Sequence, residues 1–122
     1  MHRGSVVAIV DDESIIRTSL ARFLQVVGFT VKVYASGKEF LDACTHDIPD
    51  CAVIDCQMPG LSGIDVLECL NVAGRGMPVI MFAATDDAEV RRTCKVLGAR
   101  SLLIKPADGA AVLAAIAGAL DV

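Results

Sequence analysis

Residues 6–28, VVAIVDDESIIRTSLARFLQVVG, place a strand, an acidic turn and a helix in one segment. Val6 to Val10 is a short apolar run rich in β-branched side chains, the composition of a strand buried on both faces. It stops abruptly at Asp11-Asp12-Glu13. Beyond the acids, Ile15, Ile16, Leu20, Phe23, Leu24 and Val27 recur at helical spacing. Gly28 follows where a left-handed C-terminal cap is expected. A second β-branched run, Thr30–Tyr34, comes next, so the segment opens a strand–helix–strand unit.

The same rhythm continues outward. Strands are expected at Ser5–Val10, Thr30–Tyr34, Cys51–Ile54, Pro78–Ala83 and Ser101–Ile104, with helix-period segments between them. Ser36-Gly37-Lys38-Glu39 has the capping-box pattern, Ser62 can cap the third helix with Asp65 in its first turn, and Gly98 ends the fourth as Gly28 ends the first. No internal repeat, low-complexity segment or linker interrupts the pattern. Five strands alternating with five helices give an α/β fold, a doubly wound five-stranded parallel sheet covered on both faces. Alternation does not fix strand order; among doubly wound folds of this size the flavodoxin-like (βα)5 order 2-1-3-4-5 is the leading choice. In such sheets ligands bind beyond the carboxyl ends of the strands, near the switch between strands 1 and 3.

Composition narrows the function. A chain of 122 residues suits one domain, residues 1–122, and 54% apolar with 21% charged residues supports a packed core. The net charge of −4, with no basic cluster larger than Arg91-Arg92, argues against direct nucleic-acid binding. No signal peptide is apparent, and the longest apolar stretch, Ala110 to Leu120, falls short of the roughly 20 residues that span a bilayer, so no membrane partner and a cytoplasmic location are expected. Cys44, Cys51, Cys56, Cys69 and Cys94 lack paired metal-ligand spacing and read as free thiols, with Cys56 notable for following Asp55. Between Asp108 and Asp121 the fifth helix carries no charge. Either alanine covers its outer face, or helix 4, strand 5 and helix 5 form a contact surface.

Strand 1 ends in Asp11-Asp12, strand 3 in Asp55 and strand 5 in Lys105-Pro106. The fold brings these ends together. Three carboxylates in one pocket repel, which raises at least one pKa, and a hard divalent cation relieves that repulsion. Lys105 adds a point charge for a phosphate oxygen. A carboxylate nucleophile, a metal and a lysine together suit phosphoryl transfer to Asp55. Singly, Asp11 or Asp12 is commonly a helix N-terminal charge and Lys105 a solvated lysine; their joint placement points to chemistry.

These residues resemble the receiver domains of bacterial two-component response regulators, the CheY-like superfamily. Asp11-Asp12 is similar to the family's acidic pair, Asp55-Cys56-Gln57-Met58-Pro59 with Gly63 to its D-x-x-M-P-x-x-x-G segment, and Lys105-Pro106 to its K-P pair with a cis bond. Gly98-Ala99 before strand 5 and Tyr34-Ala35-Ser36-Gly37 also fit. The resemblance implies phosphorylation of Asp55 in a reaction dependent on Mg2+ or Mn2+. Asp12, Asp55 and the Gln57 carbonyl would be metal ligands, Asp11 would act through a water, and Lys105 would pair with the phosphoryl group. It further implies a sensor histidine kinase or histidine phosphotransfer protein as donor, and a signalling acceptor rather than an enzyme, with at most slow autodephosphorylation. A homodimer or effector contact through helix 4, strand 5 and helix 5 is also implied.

Two positions depart from the family. Its Thr or Ser at the end of strand 4 falls on Ala83, and its aromatic residue on strand 5 falls on Leu102; Thr85 is a candidate substitute hydroxyl. Phosphoryl chemistry is expected to survive, with altered activation coupling, as in a phosphorelay intermediate or sink. The alternative is a phosphorylation-independent interaction module that keeps the receiver fold. An aspartyl phosphatase would carry a D-x-D motif, and a flavin-binding domain a hydroxyl- and glycine-rich loop where Asp11-Asp12-Glu13 stands. No output domain is expected in this sequence.

Overall fold

A computed structural model describes residues 4–120. Five strands alternate with five helices: β1 (Val6–Val10), α1 (Ser14–Val27), β2 (Thr30–Tyr34), α2 (Gly37–Cys44), β3 (Cys51–Asp55), α3 (Gly63–Val72), β4 (Val79–Ala83), α4 (Ala88–Val96), β5 (Ser101–Ile104) and α5 (Gly109–Leu120). All strand pairs are parallel, in the order β2-β1-β3-β4-β5. The expected fold and order are both found. Strand limits differ from the sequence expectation by at most one residue at an end, and β3 includes Asp55 as its last residue.

Alternation along each central strand divides the core into two layers. Val7, Ile9, Cys51, Val53, Ile80 and Phe82 pack with Leu20 and Leu24 of α1 and Val112 and Ile116 of α5. Ala8, Val10, Ala52, Ile54, Val79, Met81 and Ala83 pack with Phe40, Val66, Leu70 and Cys94 from α2, α3 and α4. Strands β1, β3 and β4 are buried almost throughout, hence their unbroken apolar sequences; each fully buried branched side chain contributes about 1.5–3 kcal/mol.

Helix ends follow the sequence signals. Gly28 (φ 122°) and Gly98 (φ 90°) take the positive φ that a side chain would resist. The Ser36 hydroxyl accepts the Glu39 N–H at 3.2 Å, while the Glu39 carboxylate turns to that hydroxyl. Ser62 and Asp65 go further than expected and form a full reciprocal capping box, at 3.1 and 3.0 Å. Ser62→Ala is expected to cost about 1 kcal/mol. The urea midpoint should fall with the slope unchanged; an unchanged midpoint would show that water replaces the cap fully.

Helix α5 buries Val112, Ile116 and Ala119 and turns Ala110, Ala111, Ala114 and Gly118 to solvent. Small residues thus occupy the outer face in place of polar ones. Asp121, which bounds the uncharged stretch, lies outside the described residues. No described helix is long and apolar enough to cross a membrane.

Candidate functional site

The ends of β1, β3 and β5 converge as the topology requires. Asp11 leaves β1 with its N–H still bonded to the Tyr34 carbonyl (3.1 Å), which fixes its backbone to β2. Its side chain is 2% exposed, its carboxylate taking the Glu13 N–H at 2.9 Å and the Lys105 ammonium at 3.2 Å. Asp12 beside it is exposed. Asp55 is buried at the end of β3, where one oxygen accepts the Gln57 N–H (3.2 Å) and the other the Lys105 ammonium (3.2 Å). Lys105 follows β5, its N–H held by the Ala83 carbonyl (2.7 Å) and its peptide bond to Pro106 cis.

One oxygen each from Asp11, Asp12 and Asp55 lies within 4.8 Å of the others. Opposite ligands around octahedral magnesium stand about 4.2 Å apart, so an all-oxygen set this close suits a small hard cation after slight closure. Burial pushes the Asp55 carboxyl above its usual range, the Gln57 N–H draws it back, and the Asp11 charge raises it again against the pull of Lys105. Like-charge repulsion therefore contributes, but burial is the larger cause. For Lys105, burial favours the neutral amine, yet its hydrogen bond to Asp11 and the charges of Asp55 and Asp11 outweigh this and raise its pKa. It remains a cation.

The departures from the family pattern are also placed. Ala83 is buried at the end of β4 in the α2–α4 layer. Leu102 pairs with Met81 and packs, half-buried, against that same layer, so it points inward. Thr85 is exposed in the loop after β4. Cys56 is buried, and burial together with the nearby Cys94 thiol pushes its pKa up to about 12, which suits a packed neutral thiol.

Three contacts were not anticipated. Glu13 reaches Lys105 at 3.3 Å, so one ammonium serves three carboxylates. The ring of Phe82 lies 5.6 Å beneath that ammonium. A Cβ on Gly63 would fall 2.2 Å from the Asp55 carbonyl oxygen, so the start of α3 is pressed against the backbone of Asp55. The sequence signals were Glu13 directly after the acidic pair and a glycine at a fixed distance from Asp55. An apolar cleft of about 330 Å³, lined by Ile15, Leu20, Phe23, Phe82, Pro106 and Ala107, runs from α1 to Lys105.

Residues 7–117 match the family model described as the response regulator receiver domain. The transcriptional regulatory protein FixJ of Azorhizobium caulinodans is 38% identical over 114 residues, which cover 93% of this chain and 54% of that protein. The transcriptional regulatory protein TdiR of Thauera aromatica is 35% identical over 120 residues, 96% of this chain and 52% of that protein. The chain thus spans about half the length of these relatives. Among solved structures, the receiver domain of the Francisella response regulator 1452 superposes with a TM-score of 0.92 at 26% identity, covering 97% of this chain and 98% of that one. Chemotaxis protein CheY4 of Vibrio cholerae gives a TM-score of 0.90 at 25% identity, with coverage of 96% and 99%. By its family match, its relatives and its fold, the chain belongs to the response-regulator receiver family of two-component systems.

Proposed function

We propose that this domain accepts a phosphoryl group on Asp55 from a phosphohistidine, carried by a sensor histidine kinase or a histidine phosphotransfer protein. The observation that carries the proposal is the Lys105 ammonium 3.2 Å from both Asp11 and Asp55, beside carboxylate oxygens clustered within 4.8 Å. A Mg2+ or Mn2+ ion would be held by Asp12, Asp55 and the Gln57 carbonyl, with Asp11 acting through a water. Once bound, the ion supplies positive charge to the phosphoryl oxygens. Asp55 donates an oxygen lone pair to phosphorus as the bond to the donor nitrogen breaks. Lys105 exchanges a carboxylate partner for a phosphoryl oxygen. The role is signalling, with at most slow autodephosphorylation as catalysis. The apolar cleft beside Lys105 supports approach by a protein donor.

Readout is expected to differ from the family's usual pattern. Ala83 brings a buried methyl and no hydroxyl to the position where a phosphoryl group would be sensed, and Leu102 is already packed inward. We assign the output contact, an effector or a second copy, to α4, β5 and α5. The alternative of a phosphorylation-independent interaction module is favoured by Ala83 and Leu102. Against it stands the cost of burying Asp11 and Asp55 together, which binding alone does not require.

Intact-mass spectrometry after incubation with phosphoramidate and Mg2+ should show a gain of one phosphoryl group, absent when a chelator is present from the start. If neither phosphoramidate nor a phosphohistidine protein labels the chain, the interaction module becomes the better account.

A further inference from the structure

Glu13 stands at the mouth of the site with its side chain 60% exposed, and one oxygen lies 3.3 Å from the Lys105 ammonium. It begins α1 without a side-chain capping bond, while its backbone N–H holds Asp11 at 2.9 Å. The carboxylate is therefore free of any part in starting the helix.

Resting on the Asp55 reading, we infer that Glu13 is a specificity-determining residue that disfavours dianionic acyl phosphates relative to less negative N-phosphoryl donors. Asp11, Asp12 and Asp55 are together balanced by Lys105 and a divalent cation. Glu13 leaves that group with a net negative charge at its solvent side. Arg17, one turn further along α1, has its guanidinium committed to the Asp11 backbone carbonyl at 2.7 Å. A dianion approaching within about 7 Å of the Glu13 charge is disfavoured by roughly two- to threefold in moderately salty water and about fivefold at low salt. A donor with one net negative charge feels about half that energy.

Two small donors isolate the effect. Acetyl phosphate, a dianion at neutral pH, transfers its phosphoryl group to an Asp55 oxygen as the phosphorus–oxygen bond breaks and acetate leaves with the electron pair. Phosphoramidate, a zwitterion with one net negative charge, transfers the same group as the phosphorus–nitrogen bond breaks, and ammonia leaves with the proton already on nitrogen. Any loosening of Lys105 on loss of Glu13 acts on both reactions alike. Charge repulsion acts on the two unequally and so changes their ratio.

The experiment compares the wild type with Glu13→Gln, following the time course of labelling by intact mass with each donor at saturating Mg2+ and at two ionic strengths. Magnesium affinity is measured separately by calorimetry. In the variant, the acetyl phosphate rate relative to phosphoramidate should rise about twofold at low salt, and the rise should shrink at high salt. Labelling of both proteins at an unchanged ratio would overturn the assignment while leaving Asp55 as acceptor. A ratio that changes only in proportion to magnesium affinity would also overturn it. Absence of label with either donor would overturn the assignment, and failure of a phosphohistidine protein as well would overturn the acceptor reading.

Discussion

Asp55→Asn is expected to take up no phosphoryl group from any donor and, in the presence of a chelator, to melt roughly 2–6 °C above the wild type at pH 7. The first effect follows from chemistry. An amide oxygen shares its electron pair with nitrogen and is a poor nucleophile, and the buried Asp11 beside it is held by the Glu13 N–H and Lys105. The second follows from electrostatics. The folded-state pKa of Asp55 is raised, chiefly by burial, so between the unfolded value and the folded one the native state binds more protons. Stability contributed by the protonated form is therefore lost as pH rises through that window, and ionised Asp55 destabilises the fold at neutral pH. Asparagine has no such charge, and its carbonyl can still accept the Gln57 N–H. Lys105 keeps Asp11 at 3.2 Å and Glu13 at 3.3 Å, so no unpaired ammonium is left behind. Thermal melts from pH 4 to 8 should show the gap between the two proteins narrowing as pH falls. A less stable variant at pH 7 would mean that the Lys105 attraction outweighs burial at Asp55. The chelator matters, because a cation bound only to the folded wild type would add stability and mask the gap.

This cost explains why the main site residues were legible in the sequence. Aspartates directly after apolar strands are costly where they stand, and a doubly wound sheet places those strand ends together, so the sequence pattern alone joins Asp11, Asp55 and Lys105. Strand positions were legible because β1, β3 and β4 are buried on both faces and carry unbroken apolar runs. Strand order was less so: each strand–helix–strand unit is locally the same whichever neighbour it joins. The inward direction of Leu102 depends on its register with Met81, and the sequence alone contains no register. Glu13 and Lys105 meet from opposite ends of the chain, and their contact depends on side-chain direction at two loop positions. The outer face of α5 became readable only once Val112 and Ile116 fixed which side is buried.

Gly63→Ala tests the close approach of the start of α3 to the backbone of Asp55. In isolation the change should help: Gly63 opens α3 behind the Ser62 cap, and alanine inside a helix is favoured over glycine by up to about 1 kcal/mol. Space decides the sign instead. The added Cβ would lie 2.2 Å from the Asp55 carbonyl oxygen and 2.9 Å from both the Asp55 carbonyl carbon and the Cys56 Cα. All three are backbone atoms of a fully buried strand end, so no side chain can turn aside. Cys56 is also fixed by its N–H to the Phe82 carbonyl at 2.8 Å, and its own carbonyl receives the Gly63 N–H at 3.0 Å. Either α3 lifts away, which breaks that bond and opens the layer formed by Val66 and Leu70, or β3 shifts and carries Asp55 with it. We expect a net loss of about 3 kcal/mol, at the upper end for an overpacked core. The phosphorylation rate of the folded fraction should fall by roughly a hundredfold, because a displacement near 1 Å spoils in-line approach. Gly76→Ala is the matched control: a Cβ there meets nothing within 4 Å, and its melting and labelling should stay near wild type. If Gly63→Ala also behaved like wild type, the start of α3 would be able to yield freely, and the backbone of Asp55 would have to be held by the sheet alone.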